Sequence, residues 1–171
     1  MTFAPLNALA DRIDRLNTAV GRAVAWLALA VVLLEFSLVV ARYAFALGSI
    51  WATEAVIYAH ATLFMLAAAW TLRMGGHVRV DVFYAEALPR TKAVIDLIGS
   101  LLLLLPFALV LVWLGVPYAA RSWAVLERSQ EASGLPLVFV LKTLIPLFAA
   151  MMALQGIAQA IRALAALSRP R

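Results

Sequence analysis

The sequence predicts an all-α integral membrane protein with four transmembrane helices. Three observations carry that prediction. Hydrophobic residues make up 65% of the 171 positions and charged residues only 13%, about half the ~25% of soluble domains. Four apolar runs each reach the ~20 residues needed to cross a ~30 Å hydrocarbon core. None of them alternates apolar with polar residues as a lipid-facing barrel strand does. Backbone groups in lipid must pair within their own segment, so the runs are helices. The same composition excludes a soluble globular domain and an intrinsically disordered chain. Residues 1–171 form one four-helix domain, with spans at about 20–42, 50–73, 93–119 and 137–161.

The first apolar run, Ala23–Ala41, is broken only by Glu35. Arg12, Arg15 and Arg22 precede it, and Ala44-Phe45-Ala46 looks like a cleavage site. The run is nevertheless longer than the ~7–15 residues of a signal core and holds a glutamate, so it reads as a retained helix. Ahead of it, Leu6, Leu9, Ile13, Leu16 and Val20 recur at steps of three and four, with Asp11, Arg12, Asp14, Arg15 and Asn17 on the other faces. This is an N-terminal amphipathic segment. It either lies at the inner interface or leads directly into the first span.

The second run, Ala55–Leu72, contains His60 as its one ionisable group, and the pair Gly75-Gly76 ends it. Asp81 is suited to cap a short interfacial helix, Val82–Leu88, stopped by Pro89. The third run, Leu97–Ala120, carries no charge. The connection after it, through Trp123, Glu127, Arg128, Gln130 and Glu131 to Gly134-Leu135-Pro136, is long enough for a surface helix. The fourth run, Thr143–Ile161, extends backward past Lys142 through Leu135–Leu141. Trp51, Trp70, Trp113 and Trp123 fall near span ends, as an aromatic belt requires.

Charge placement sets the orientation. Arg12, Arg15, Arg22, Arg73, Arg79, Arg90, Lys92, Arg162, Arg169 and Arg171 belong to the termini and the second connection. Only Arg42, Arg121, Arg128 and Lys142 belong to the other side. Positive-inside bias then puts both termini in the cytoplasm. The whole formal charge of +5 lies on that side once acids are counted. The basic residues sit singly and form no stripe, so the charge marks orientation and neither nucleic acid nor another anionic partner. Membrane lipids are expected as partners of the spans.

Charge within a membrane is costly and calls for a partner or a pathway. Glu35 and Lys142 lie at similar depths near the outer face, and Arg42 and Glu54 flank the first connection. Glu35, Arg42, Glu54 and Lys142 are therefore expected to form a structural charge network, Glu35 with Lys142 and Arg42 with Glu54, or exchanged. Lys142 and Glu54 are also shallow enough to reach water unaided. His60 near mid-membrane suits a neutral histidine bonded across helices, or a proton relay.

The chain has no cysteine, which removes disulfides, thiol chemistry and iron–sulfur ligation. His60 and His77, the only histidines, are not spaced to clasp a haem. No metal set, nucleophile triad or phosphate loop is present. No catalytic, cofactor, metal or substrate residue is assigned, and an enzyme is not expected. The two halves show no inverted repeat such as marks a substrate-carrying transporter. Four mostly uncharged helices read as scaffold.

The ordered pattern resembles the small permease subunit, DctQ-like, of tripartite ATP-independent periplasmic (TRAP) transporters. The resemblance rests on Arg42-Tyr43 closing helix one, then Trp51 and Glu54 opening helix two. It continues through Arg73, Gly75, His77, Val78, Arg79, Val80 and Asp81, then Leu88-Pro89. Ser133, Gly134-Leu135-Pro136, Lys142, Ile145-Pro146 and Gln155 complete it. The resemblance implies a bacterial inner-membrane subunit that binds a large permease subunit. That large subunit would hold the substrate and coupling sodium, and would move by an elevator-like motion against a static scaffold that this chain extends. It also implies a periplasmic solute-binding protein that delivers an organic acid. The alanine-rich stretches Ala67–Ala69 and Ala149-Ala150, with Gly156, suit either a partner contact or packing within the chain.

Overall fold

The computed structural model describes residues 4–77 and 84–168. Among the described residues every regular element is a helix, with no strand. Four helical rods are long and apolar enough to cross a membrane.

Helix α1, Ala4–Phe45, is unbroken for 42 residues, or roughly 63 Å at the α-helical rise. The N-terminal segment thus runs straight into the first apolar run. Its buried face is Ala10, Ile13, Asp14, Asn17 and Gly21. Leu6, Leu9 and Leu16 of the expected apolar stripe are exposed instead. The helix turns small and polar residues inward because they meet Gln155 and Ala158 of the last helix.

Ala46 takes a left-handed conformation, φ 54°, and the Leu47 N–H reaches back to the Ala41 carbonyl at 3.0 Å, which closes α1. Ser49 then caps α2, Ile50–Arg73, its Oγ accepting from the Ala52 N–H at 3.3 Å. The glycine pair ends α2. Gly75 has φ +70°, and the Gly76 N–H donates to the Thr71 carbonyl at 2.9 Å. Asp81, Val82 and Phe83 fall outside the described residues, as do Val78, Arg79, Val80, Arg169 and Arg171. Of the expected helix Val82–Leu88, residues 85–87 form a turn instead, the Ala87 N–H donating to the Tyr84 carbonyl at 3.1 Å.

The third rod has three parts: α3, Pro89–Ile98, a π-helical segment, Gly99–Leu104, and α4, Leu105–Ala124. Pro106 explains the wide turn. It has no N–H for an i→i−4 bond, and the Leu105 N–H donates instead to Ser100, five residues back. Residues 125–137 form no surface helix. Leu126 at φ 45° stops α4, and the segment folds into turns, with Ser129 N–H to Leu135 O at 3.2 Å and Gly134 N–H to Glu131 O at 3.0 Å. Helix α5, Val138–Leu167, follows.

Helices α1 and α2 pack as one pair and α4 and α5 as another, while α5 also touches α1, α2 and α3. The core is built of small residues. Ala69, Ala108, Met151, Met152 and Ala153 form its main cluster, and Ala10, Ile13 and Ala158 a second. Within the alanine-rich stretches, Ala69 and Ala149 are wholly buried, and Gly156 lies against Leu104. These positions are internal seams of the bundle. Small residues let apolar helices approach where lipid supplies no hydrophobic drive.

Candidate functional site

Polar side chains gather at the two ends of the bundle. At one end the α1–α2 connection meets residues 125–137. Here Glu54, on the first turns of α2, holds the second loop. Ser129 Oγ donates to Glu54 Oε1 at 2.5 Å, and the Leu135 N–H donates to Oε2 at 2.5 Å. Gly134 is pressed against this clasp: a Cβ there would meet the Ser129 side chain and lie 2.8 Å from Glu54 Oε1. Leu135 is buried beneath it, while Pro136 and Trp51 are exposed.

Lys142 at the start of α5 ties the other flank of the same loop. Its Nζ donates to both Glu127 oxygens, at 2.6 and 2.8 Å, and sits 4.5 Å from the centre of the Tyr118 ring. The Lys142 ammonium holds the Glu127 carboxyl below the usual carboxylate range. Next to it, Trp123 Nε1 donates to Thr143 Oγ1 at 2.8 Å and meets the Phe139 ring edge-on.

The expected network is therefore wired differently. Lys142 takes Glu127 and not Glu35, because the folded 125–137 loop brings Glu127 within reach. Glu54 takes neutral donors from that loop. Arg42 and Glu54 do line one cleft, of about 560 Å³, together with Ser49, Thr53 and Glu131, but make no ion pair. Glu35 is exposed on α1 with no ion pair among the described residues. His60 is exposed on α2. It makes no hydrogen bond across helices among the described residues and stacks on Phe64 at 6.5 Å.

The opposite end holds a cluster that sequence reasoning missed. Asp14, with its side chain only 6% exposed, receives Arg73 Nε at 3.1 Å and Arg162 Nη1 at 2.5 Å on one oxygen. Gln155 Nε2 donates to the other at 3.1 Å. Asn17 Nδ2 donates to Gln155 Oε1 at 2.8 Å, and Arg162 also binds Asp11 at 2.9 Å. Arg73 Nη1 donates to Thr18 Oγ1 at 2.6 Å. One carboxylate thus joins α1, α2 and α5. Among the residues of the family pattern, Arg73 and Gln155 belong to this cluster, Gly75 ends α2 directly after it, and His77 is exposed just beyond.

The signal for Asp14 was the spacing Ala10, Ile13, Asp14, Asn17, Gly21, a small and polar stripe at helical period. It was outshone by the leucine stripe beside it.

Both clusters satisfy their carboxylates with donors from within the chain and tie elements together. Among the described residues, no three His, Asp or Glu side chains converge as a metal site would require. No curated protein and no solved structure matched the chain. The model of the family described as tripartite ATP-independent periplasmic transporters, DctQ component, matches residues 31–166. That stretch covers the second half of the first span, the other three spans and the loop clasp, so the chain belongs to the DctQ family: it is a multi-pass membrane component of a TRAP transporter and not an enzyme.

Proposed function

We propose that this chain is the small scaffold subunit of a sodium-coupled uptake system in the bacterial inner membrane, with both termini cytoplasmic. It binds a large permease subunit and extends the static frame against which that subunit carries an organic acid by an elevator-type motion. A periplasmic solute-binding protein delivers the acid, and coupling sodium resides in the large subunit.

One observation carries this reading. Glu35 and His60 lie within the apolar runs, face away from the bundle and have no hydrogen-bonding partner among the described residues. Asp14, Glu54 and Lys142 are, in contrast, paired inside the chain. A carboxylate left facing hydrocarbon costs several kcal/mol, so Glu35 calls for a donor from another protein. The static role is supported by the two clasps, which bind the helices at both ends.

The test is co-expression with a large TRAP permease subunit from the same genome, followed by pull-down from detergent and uptake in proteoliposomes. A stable one-to-one complex is expected, with uptake requiring both chains and the binding protein. A chain that ignores the large subunit and transports alone as a homo-oligomer would overturn the reading.

A further inference from the structure

A cleft of about 340 Å³ opens between α1 and the end of α2, lined by Asp14, Arg15, Thr18, Ala19, Arg22 and Arg73. Its charge is unbalanced. The single acid, Asp14, is already bound to Arg73 and Arg162. Arg15 donates only to the Asp11 carbonyl, and Arg22 makes no ion pair among the described residues. Arg73 is committed to Asp14 and Thr18, so two guanidiniums without a counter-ion among the described residues, those of Arg15 and Arg22, border the open space.

The surface below the cleft is equally specific. Arg15, Ala19, Arg22, Trp26, Leu29 and Leu33 fall at steps of three and four and share one face of α1. Trp26 is 75% exposed, Leu29 53% and Leu33 56%. From Arg22 to Leu33 the helix descends roughly 16 Å, the depth of one leaflet of a ~30 Å hydrocarbon core. Arg22 is the last charge before the apolar run, so the cleft sits at headgroup level. Tryptophan one turn inward is where an interfacial ring belongs.

We propose that this cleft is a binding site for an anionic phospholipid. Arg15 and Arg22 take the phosphate, with the Asp14-bound Arg73 forming the cleft wall, and the Trp26–Leu29–Leu33 stripe takes one acyl chain. Guanidinium is suited to this because its planar fork matches phosphate oxygens two at a time. Basic pockets between membrane helices hold acidic headgroups by the same chemistry. The site goes beyond the scaffold role and does not depend on which leaflet it faces.

The experiment is native mass spectrometry of the full chain, alone and with its large subunit, delipidated and titrated with phosphatidylglycerol or phosphatidylcholine. The wild type is expected to retain one phosphatidylglycerol in preference to phosphatidylcholine. The double variant Arg15→Gln/Arg22→Gln should lose about 30-fold of that preference, at about fivefold per guanidinium. Both side chains are exposed, so melting should be unchanged. Arg90→Gln, the loss of one positive charge outside the cleft, should leave the preference intact. Equal binding of the two lipids, or an unaltered preference in the double variant, would overturn the proposal. So would displacement by millimolar inorganic phosphate, which would make the cleft a free-anion site. Loss of the lipid on assembly with the large subunit would assign the cleft to that protein instead.

Discussion

Glu54 shows what a lone acid near the membrane surface does here: it replaces solvent for a loop. Its two oxygens accept from Ser129 and from the Leu135 amide, and Gly134 leaves room for them. Glu54→Ala should therefore free residues 129–135 without unfolding the helices. A hydrogen bond to a charged group contributes about 2 kcal/mol, so exchange at the Leu135 amide should rise roughly 30-fold, read by hydrogen-exchange mass spectrometry. Asp14 has a larger effect, because its carboxylate is buried and joins three helices. Asp14→Ala leaves Gln155 without its acceptor and Arg73 without its counter-charge, while Arg162 keeps only Asp11. The expected loss is about 3 kcal/mol, measured by detergent-induced unfolding, with Asp14→Asn losing less because it keeps a hydrogen-bonding oxygen. The sequence marks Glu54, Gly134 and Pro136 as a pattern in order. It does not mark their partners, since a hydrogen bond between α2 and a turn eighty residues later depends on how that turn folds. For Asp14, a cytoplasmic charge and a buried anchor look alike until the packing face of α1 is known.

The helices themselves were more legible than what joins them. Each apolar run became a helix because length and hydrophobicity leave no other way to satisfy backbone groups in lipid. The end of α2 followed from Gly75-Gly76 for the same local reason that any left-handed cap does. Residues 125–137 were not legible. Their polar composition fits a surface helix, but the clasp on Glu54 and the Glu127–Lys142 pair stabilise turns instead. That pair has a pH signature. Glu127 titrates lower in the folded protein than in the unfolded chain. Its contribution is therefore complete above the unfolded carboxylate pKa and is lost as pH falls through the folded one. Wild type should melt above Lys142→Met at neutral pH, and the gap should close only as pH falls through the lowered folded pKa of Glu127, below the usual carboxylate range. The gap should be small at any pH, because the pair is partly exposed. Helix contact makes a sharper demand at Gly21. An added Cβ there would sit 2.5 Å from Trp70 Cβ, the fixed base of that side chain and not its movable tip. Gly21→Ala should force α1 away from α2 and lower the melting temperature, whereas Gly99→Ala, with open space around it, should not.

Taken together, the bundle is clasped at both ends and bare along its sides. The Asp14 cluster joins α1, α2 and α5 at one end, and the Glu54 and Lys142 contacts join α2, α5 and the 125–137 loop at the other. Between them the core is alanine and methionine, and the large apolar side chains point outward. A soluble protein could not tolerate that inversion, but lipid does, and so does a second membrane protein. Lipid does not, however, accommodate Glu35. If Glu35 meets a donor on the large subunit, Glu35→Gln should weaken the purified complex, since an amide keeps the shape but loses the charge-assisted hydrogen bond. The loss should be at least tenfold in the dissociation constant, which corresponds to about 1.4 kcal/mol. The melting of the isolated chain should not fall, because Glu35 is bonded to nothing within it, and removing an exposed charge from the hydrocarbon region should raise it. Opposite signs in the two measurements separate a docking residue from a structural one. Equal stability of the Glu35→Gln complex, measured beside Asp14→Asn as a control for internal damage, would mean that the carboxylate reaches the outer interface on its own. The partner face would then have to be sought on α2 around His60.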